Sequence, residues 1–306
     1  MKLYTITNDK LKSISSDDFK LEKEIQNLIE KNLDELFNLQ FVKSELPVKN
    51  FRVDTLAFDK ENKSFVIIEY KKGSSYSVID QGYTYMSLML NNKSDFILEY
   101  NEIIGVSLKK SDIDWTQSKV IFISPHFNEY QKHSINFKDV PFELWEIKKY
   151  ENNLIGLLQH KTVSEESIST IVIGDNDIVS AVSKEVKIFT EDDHVNHPKV
   201  LESTKQLYND LKERILNIGG DIEIVPRKMY IGFKRKTNFF SIYIGKSVLW
   251  CWINLKKGEL EDPKPICRNV SNIGHYGPGD YDLTVDQKSD LDYVMFLINQ
   301  SYKKQD

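Results

Sequence analysis

Cysteine is scarce in this chain of 306 residues, which holds only 2, and glycine (13) and proline (8) are sparse as well. Cys251 and Cys267 have neither CxxC spacing nor enough partners for a zinc site, and a single pair makes no disulfide framework. A reducing cytoplasm is the expected setting. Long apolar runs are also missing. The opening MKLYTITNDK lacks the hydrophobic stretch of a secretion leader, and runs such as Phe65–Ile68 fall far short of the roughly 18 residues that a membrane span needs. Secretion and a membrane partner are therefore not expected. No internal repeat, low-complexity tract or nucleotide-binding Gly-rich loop is present, and Gly219-Gly220 reads as the end of a helix. The chain also lacks an excess of positive charge. Its 41 basic against 46 acidic side chains give a net −5, which counts mildly against a protein that coats nucleic acid.

The distribution of that charge is more informative than its sum. Residues 1–160 hold 21 basic and 24 acidic side chains (−3), residues 161–198 hold 3 and 8 (−5), and residues 199–306 hold 17 and 14 (+3). With about 150 residues as a domain prior, the expected division is a domain over 1–160, an acidic connector over 161–198 and a mildly basic domain over 199–306. Within the connector, Ile171-Val172-Ile173-Gly174 could form a strand.

In the first domain, residues 21–37 read as one amphipathic helix, with Leu21, Ile25, Leu28, Ile29, Leu36 and Phe37 on its stripe and Asp17 and Asp18 as candidate caps. FRVDTLAFD and SFVIIEYKK read as an antiparallel hairpin whose second strand is apolar on both faces and therefore central. SVIDQGYTYMSLMLN follows as a helix. KVIFIS, FELWEIKKY and NLIGLLQ add strands, with FNEYQKH a helix between the first two. In the second domain, a helix carrying Val200, Leu207, Leu211, Ile215 and Ile218 inward leads into four strands and a closing helix over SDLDYVMFLINQSYKK. The fold class expected is α/β in the broad sense of α+β: a mixed sheet with flanking helices, then a smaller α+β domain.

The central strand ends unusually. Its apolar run stops at Glu69-Tyr70-Lys71, and because side chains alternate along a strand, Glu69 and Lys71 project to the same side. The neighbouring strand offers Asp54, which antiparallel pairing can bring alongside Glu69. Two carboxylates that converge repel each other unless a cation lies between them. Mg²⁺ takes one or two carboxylates plus water and phosphate oxygens, so Asp54 and Glu69 are the candidate metal ligands for Mg²⁺ or Mn²⁺. Lys71 beside them could orient or deprotonate a water and stabilise charge on a phosphate.

This arrangement resembles the PD-(D/E)XK nuclease superfamily, whose core places an Asp on one strand of a hairpin and (D/E)-X-K on the next. Here the matching residues are Asp54 and Glu69-Tyr70-Lys71, with Val53 where the superfamily name has proline. The run looks closest to the branch related to the NucS-type DNA endonucleases, in which a Glu opens the first helix and a Gln with a Tyr one turn later follows the Lys. The resemblance, over roughly residues 15–160, makes Glu22 a residue that holds metal through water, with Glu24 as the fallback register, and makes Gln81 and Tyr85 lining residues four apart on one helix face. It implies a restriction-endonuclease-like first domain and a metal-dependent DNA endonuclease acting in DNA repair or in defence against foreign DNA, in a bacterial cytoplasm. NucS relatives carry their nuclease domain last, behind a dimerisation domain, whereas here it comes first, so their substrate preference does not carry over. The expected partners are DNA, with RNA left open, and a second copy of the chain in a homodimer. The alternative is a catalytically silent nuclease fold that binds DNA or protein.

Flanking basic residues are candidates for phosphate contact. Arg52 and Lys72 adjoin the site, and Arg227, Lys228, Lys234, Arg235 and Lys236, with Lys246, surround strands carrying Phe233, Phe239, Phe240 and Tyr243. Aromatics that alternate along a strand are more often core than base-stacking platforms. His126 and His133 read as surface histidines, and the segment from Arg268 to Asp280 reads as a loop. This second domain resembles one of uncharacterised function found behind such nuclease domains in bacterial proteins.

Overall fold

The computed structural model describes residues 2–73, 77–168 and 177–305, and the candidate strand at 171–174 lies outside them. The chain divides into two units, Met1–Ile188 and Phe189–Asp306. The boundary falls inside the stretch expected as a connector. Ile168, Val182 and Val186 are buried in the core of the first unit, so much of that acidic stretch is folded onto the first unit rather than strung between two domains.

The first unit begins with a two-stranded hairpin, β1 (Tyr4–Thr7) and β2 (Lys10–Ser13). Then come β3 (Ser16–Asp17), α1 (Glu22–Glu30), α2 (Leu33–Phe37), β4 (Gln40–Val48), β5 (Phe51–Asp59) and β6 (Ser64–Tyr70). After these follow α3 (Val78–Asn91), α4 (Lys93–Ile104), β7 (Lys119–Ser124), α5 (Glu129–Ser134), β8 (Phe142–Tyr150), β9 (Leu154–His160) and α6 (Asp177–Glu185). The helix expected over 21–37 is broken at Asn32, whose side-chain amide donates to Leu28 O at 2.7 Å and competes with the helix ladder. Leu21 is the exposed N-cap residue rather than part of the apolar stripe. Asp17 lies in β3 and caps nothing; instead, Glu24 reaches back to accept the Lys20 amide at 2.9 Å.

The seven-stranded sheet runs β3-β8-β7-β6-β5-β4, with β9 paired to β8. β5 and β6 are antiparallel, while β6, β7 and β8 are mutually parallel, so the sheet is mixed as expected. Every residue of β6 is buried. One face of the strand presents Val66, Ile68 and Tyr70 to Ile25 and Ile29 of α1, and the other presents Phe65 and Ile67 to a core that includes Met86, Met89 and Phe96 of α3 and α4. Fully burying side chains of this size is worth about 1.5–3 kcal/mol each, which makes β6 the fixed reference of the unit. α3 comes so close to β8 that a Cβ on Gly82 would lie 2.7 Å from the Phe142 ring.

The second unit contains α7 (Glu191–Val195), α8 (Glu202–Leu216), β10 (Glu223–Pro226), β11 (Ile231–Lys234), β12 (Asn238–Ile244) and β13 (Leu249–Ile253), then β14 (Arg268–Asn269), β15 (Tyr281–Val285) and α9 (Leu291–Lys303). Its sheet runs β10-β11-β12-β13-β15-β14 and is antiparallel throughout. Leu207, Leu211 and Ile215 of α8 and Val294, Leu297 and Ile298 of α9 share one core with Ile242, Cys251 and Leu283 of the strands. This is the α+β arrangement expected, with β14 and β15 added inside the segment read as loop and its continuation.

Candidate active site

The β5–β6 register pairs Thr55 with Ile68, so the next step along the ladder sets Asp54 opposite Glu69 at the strand end. Asp54 Oδ2 accepts the Tyr70 amide at 3.0 Å, a bond that ties the acid to the partner strand. Glu69 Oε1 accepts from Lys71 Nζ at 2.6 Å and from Gln81 Nε2 at 2.8 Å. The period of two along β6 puts Glu69 and Lys71 on the face covered by α3, and the first turns of α3 bring Gln81 down onto them. Gln81 Nε2 also reaches Tyr85 OH at 3.2 Å, and that hydroxyl donates to Arg52 O at 3.3 Å. Asp54, Glu69, Lys71, Gln81 and Tyr85 are therefore brought together.

The electrostatics of this cluster follow from burial. The side chain of Glu69 is only 4% exposed and that of Lys71 13%. Burial, reinforced by the charge of Glu69, pushes the Asp54 carboxyl up to about 7, with the Tyr70 amide and Lys71 holding it back in part. Burial and the same Glu69 charge push the Tyr85 phenol up too, so it remains a neutral hydrogen-bond donor. Glu69 Oε2 and Gln81 Oε1 are both buried without a hydrogen-bond partner. Among the described residues, no group of three or more His, Cys, Asp or Glu side chains is placed to hold a metal ion, so this site is a carboxylate pair and not a larger cage.

Three sequence candidates stand apart from the pair. Glu22, at the start of α1, accepts the Lys72 amide at 2.8 Å; it secures the chain immediately after Lys71. Lys72 itself donates through Nζ to Lys20 O. The guanidinium of Arg52 is exposed and turned to Glu45 at 3.5 Å. The sequence reading missed a polar network on the opposite face of the sheet, behind Asp54. Gln26 of α1 donates to Glu30 Oε1 and to Asp54 O, each at 2.9 Å, Thr55 donates to Glu30 at 2.6 Å, and Thr55 and Tyr70 hydroxyls lie 3.1 Å apart. The available signal was a glutamine next to Ile25 within the buried stripe of α1.

The basic residues of the second unit do not converge in this way. Arg235 donates to Asp221 at 2.6 Å and lies over the Tyr302 ring at 4.8 Å. Arg227 caps a turn through its backbone, Lys234 ends β11, and Lys228 and Lys236 are exposed. Phe233, Phe239 and Phe240 are wholly buried, which corrects any reading of them as stacking platforms. Arg268 in the expected loop is held by Asp282 at 2.6 Å.

A protein of Haemophilus influenzae described only as an uncharacterized protein is 46% identical over 304 residues, which covers 99% of this chain and 100% of that one. The chain belongs to the same family. Residues 191–305 match the model of a domain of unknown function, DUF5655. Among solved structures, 40% of the chain is similar to 45% of a repair endonuclease from Pyrococcus abyssi, at 19% identity and a TM-score of 0.24. A chain in an EndoMS–dsDNA complex is similar over 39% of this chain and 43% of its own length, at 15% identity and a TM-score of 0.27. The matched part spans less than half of either solved chain, and a likeness at those TM-scores carries no argument about this protein. Among the described residues, no helix is long and apolar enough to cross a membrane.

Proposed function

We propose that this chain is a Mg²⁺- or Mn²⁺-dependent endonuclease that hydrolyses DNA phosphodiester bonds at Asp54, Glu69 and Lys71. The observation that carries the reading is Glu69 Oε2, a buried carboxylate oxygen without a hydrogen-bond partner, on the residue opposite Asp54. A buried polar atom left unmet costs about 1–3 kcal/mol, more when charged, and such groups recur where a functional ligand completes them. A divalent cation held by Glu69 Oε2 and Asp54 would remove both that deficit and the Glu69 repulsion that adds to burial in raising Asp54. The donor set is hard oxygen, as Mg²⁺ and Mn²⁺ require. A bound ion would supply Lewis-acid polarisation of a phosphoryl oxygen.

The remaining tasks fall to the chain's own side chains. Lys71, anchored on Glu69 Oε1, presents an ammonium that orients water and offsets charge accumulating on the phosphate. Gln81 holds the same Glu69 oxygen, leaving Oε2 for a ligand, and Tyr85 fastens Gln81 to the backbone of β5. Glu22 pins the turn after Lys71. Gln26 fixes Asp54 from behind through its carbonyl, so the spacing of the two acids is set from both faces of the sheet.

The test is cleavage of single-stranded, duplex, mismatched and branched DNA, with RNA in parallel, in Mg²⁺, Mn²⁺ or EDTA, comparing wild type with Glu69→Ala and Lys71→Ala. Cleavage that needs the metal and is lost in both variants is the expected result. Activity that survives either substitution or ignores EDTA would refute the mechanism. Tight binding by wild type without cleavage would replace it with a silent binding module.

A further inference from the structure

The same end of the sheet carries a second group of charges. Lys71 extends the β6–β7 pairing by donating its amide to Ile123 O, and Ser124 stands opposite Glu146 on β8. With strands about 4.8 Å apart, Glu146 lies roughly 10 Å from Lys71. It shares the face of Glu69, because Phe142 and Leu144 alternate with Trp145 and Ile147, which pack toward α1. Glu146 is buried and accepts the Phe127 amide at 3.2 Å. Three basic groups approach its Oε1: His160 Nε2 at 3.0 Å, His126 Nδ1 at 3.6 Å and Lys132 Nζ at 3.8 Å. Burial alone would raise its pKa, but the Phe127 amide, His160 and Lys132 together hold the Glu146 carboxyl below the usual carboxylate range.

Beside this cluster a cavity of about 240 Å³ opens between α5 and the end of β9. Lys132, His133, Asn136, His160, Lys161 and Thr162 line it, and among the described residues no carboxylate does. Glu129 pairs with Lys132 at 3.2 Å, but its side chain is 78% exposed, and an ion pair in that setting contributes little. Two ammonium groups, two imidazoles, an amide and a hydroxyl around one concavity form a donor set for a phosphate group.

We propose that this cavity holds a backbone phosphate of the nucleic-acid strand that crosses the carboxylate pair. Lys132, Lys161 and His160 contact the phosphate, and Glu146 positions Lys132 and His160. The anion site stands on its own geometry; the identity of its ligand rests on the nuclease reading.

The test uses the full chain carrying Glu69→Ala, so that binding is read without turnover. Titration with orthophosphate is followed through the imidazole NMR signals, and affinity for a DNA oligonucleotide is measured across salt concentrations. We expect saturable shifts of His133 and His160, lost on adding Lys132→Ala and Lys161→Ala. DNA binding should then be about tenfold weaker, with a salt slope shallower by about 0.9 for each phosphate that the variant no longer neutralises. If the double change unfolds the chain, Lys161→Gln alone should still weaken phosphate binding. An absence of saturable shifts, or phosphate binding with unchanged DNA affinity and slope, would overturn the proposal. Because this binding test is independent of the cleavage assay, a chain found inactive there but weakened in DNA binding by the Lys132 and Lys161 changes refutes the hydrolase reading alone, whereas a chain found active there with DNA binding unchanged by them refutes the cavity alone.

Discussion

Both units carry charged residues around sheets of aromatic and β-branched strands, yet the folding gives them opposite roles. In the first, Asp54, Glu69 and Lys71 converge at a buried strand end, and one carboxylate oxygen is left without a hydrogen-bond partner. In the second, Arg235 is met by Asp221, Arg268 by Asp282, Arg214 by Asp292 and Lys264 by Asp290, all at 2.6–2.8 Å near the surface. Exposed pairs of this kind contribute about 0–1 kcal/mol and by themselves point to no ligand. A buried acid with one oxygen left unmet is the better pointer to function, whatever the net charge of the domain around it.

The sharpest way to break that contrast is substitution at both places. Glu69→Ala or Lys71→Ala should lower DNA cleavage by about a thousandfold or more in single-turnover assays, while Lys228→Ala and Lys236→Ala leave it within about twofold. Next in size, Phe240→Ala should cost about 3–5 kcal/mol of stability in denaturant melts of the full chain, as expected for a core ring. An unchanged melt with weakened DNA binding would restore the stacking role.

The pH dependence of the carboxylate pair gives a third effect. Asp54 rises from an ordinary value of 3.8 to about 7 on folding, so the native state binds the extra proton. The stability this contributes is complete below about pH 4 and is lost as pH rises through about 7. Asp54→Asn should therefore gain on wild type between pH 4 and pH 7.5 in metal-free melts. Mg²⁺ at pH 7.5 should narrow the gap by stabilising wild type only. A gap that is constant with pH would contradict the raised pKa. The smallest effect is expected from Tyr85→Phe, which removes the bond to Arg52 O and should cost about 0.5–1.5 kcal/mol, with only a modest loss of cleavage.

Legibility differed for physical reasons. β5 and β6 could be read because their composition is strongly strand-like, and the alternation of side chains alone put Glu69 and Lys71 together. Gln81 and Tyr85 were reached through the family resemblance, to which the turn of a helix adds only that they share one face. β4 was not, because Lys43, Ser44, Glu45 and Pro47 interrupt its alternation; the strand has an irregularity near Lys43 and a left-handed Glu45 with φ of 54°. α4 also went unread, since Leu98 and Ile103 face solvent while only Phe96 and Tyr100 are buried. The Gln26–Glu30–Thr55 network and the Glu146 cluster join residues far apart in the chain, and no local periodicity encodes such meetings.

Calorimetric titration of Mn²⁺ into the metal-free chain at pH 7.5 tests the central claim most directly. Binding at the carboxylate pair predicts one saturable site in wild type, retained in Lys236→Ala and abolished in both Asp54→Ala and Glu69→Ala. Binding that persists in either acid variant, or no saturable binding in wild type even with DNA present, would contradict it.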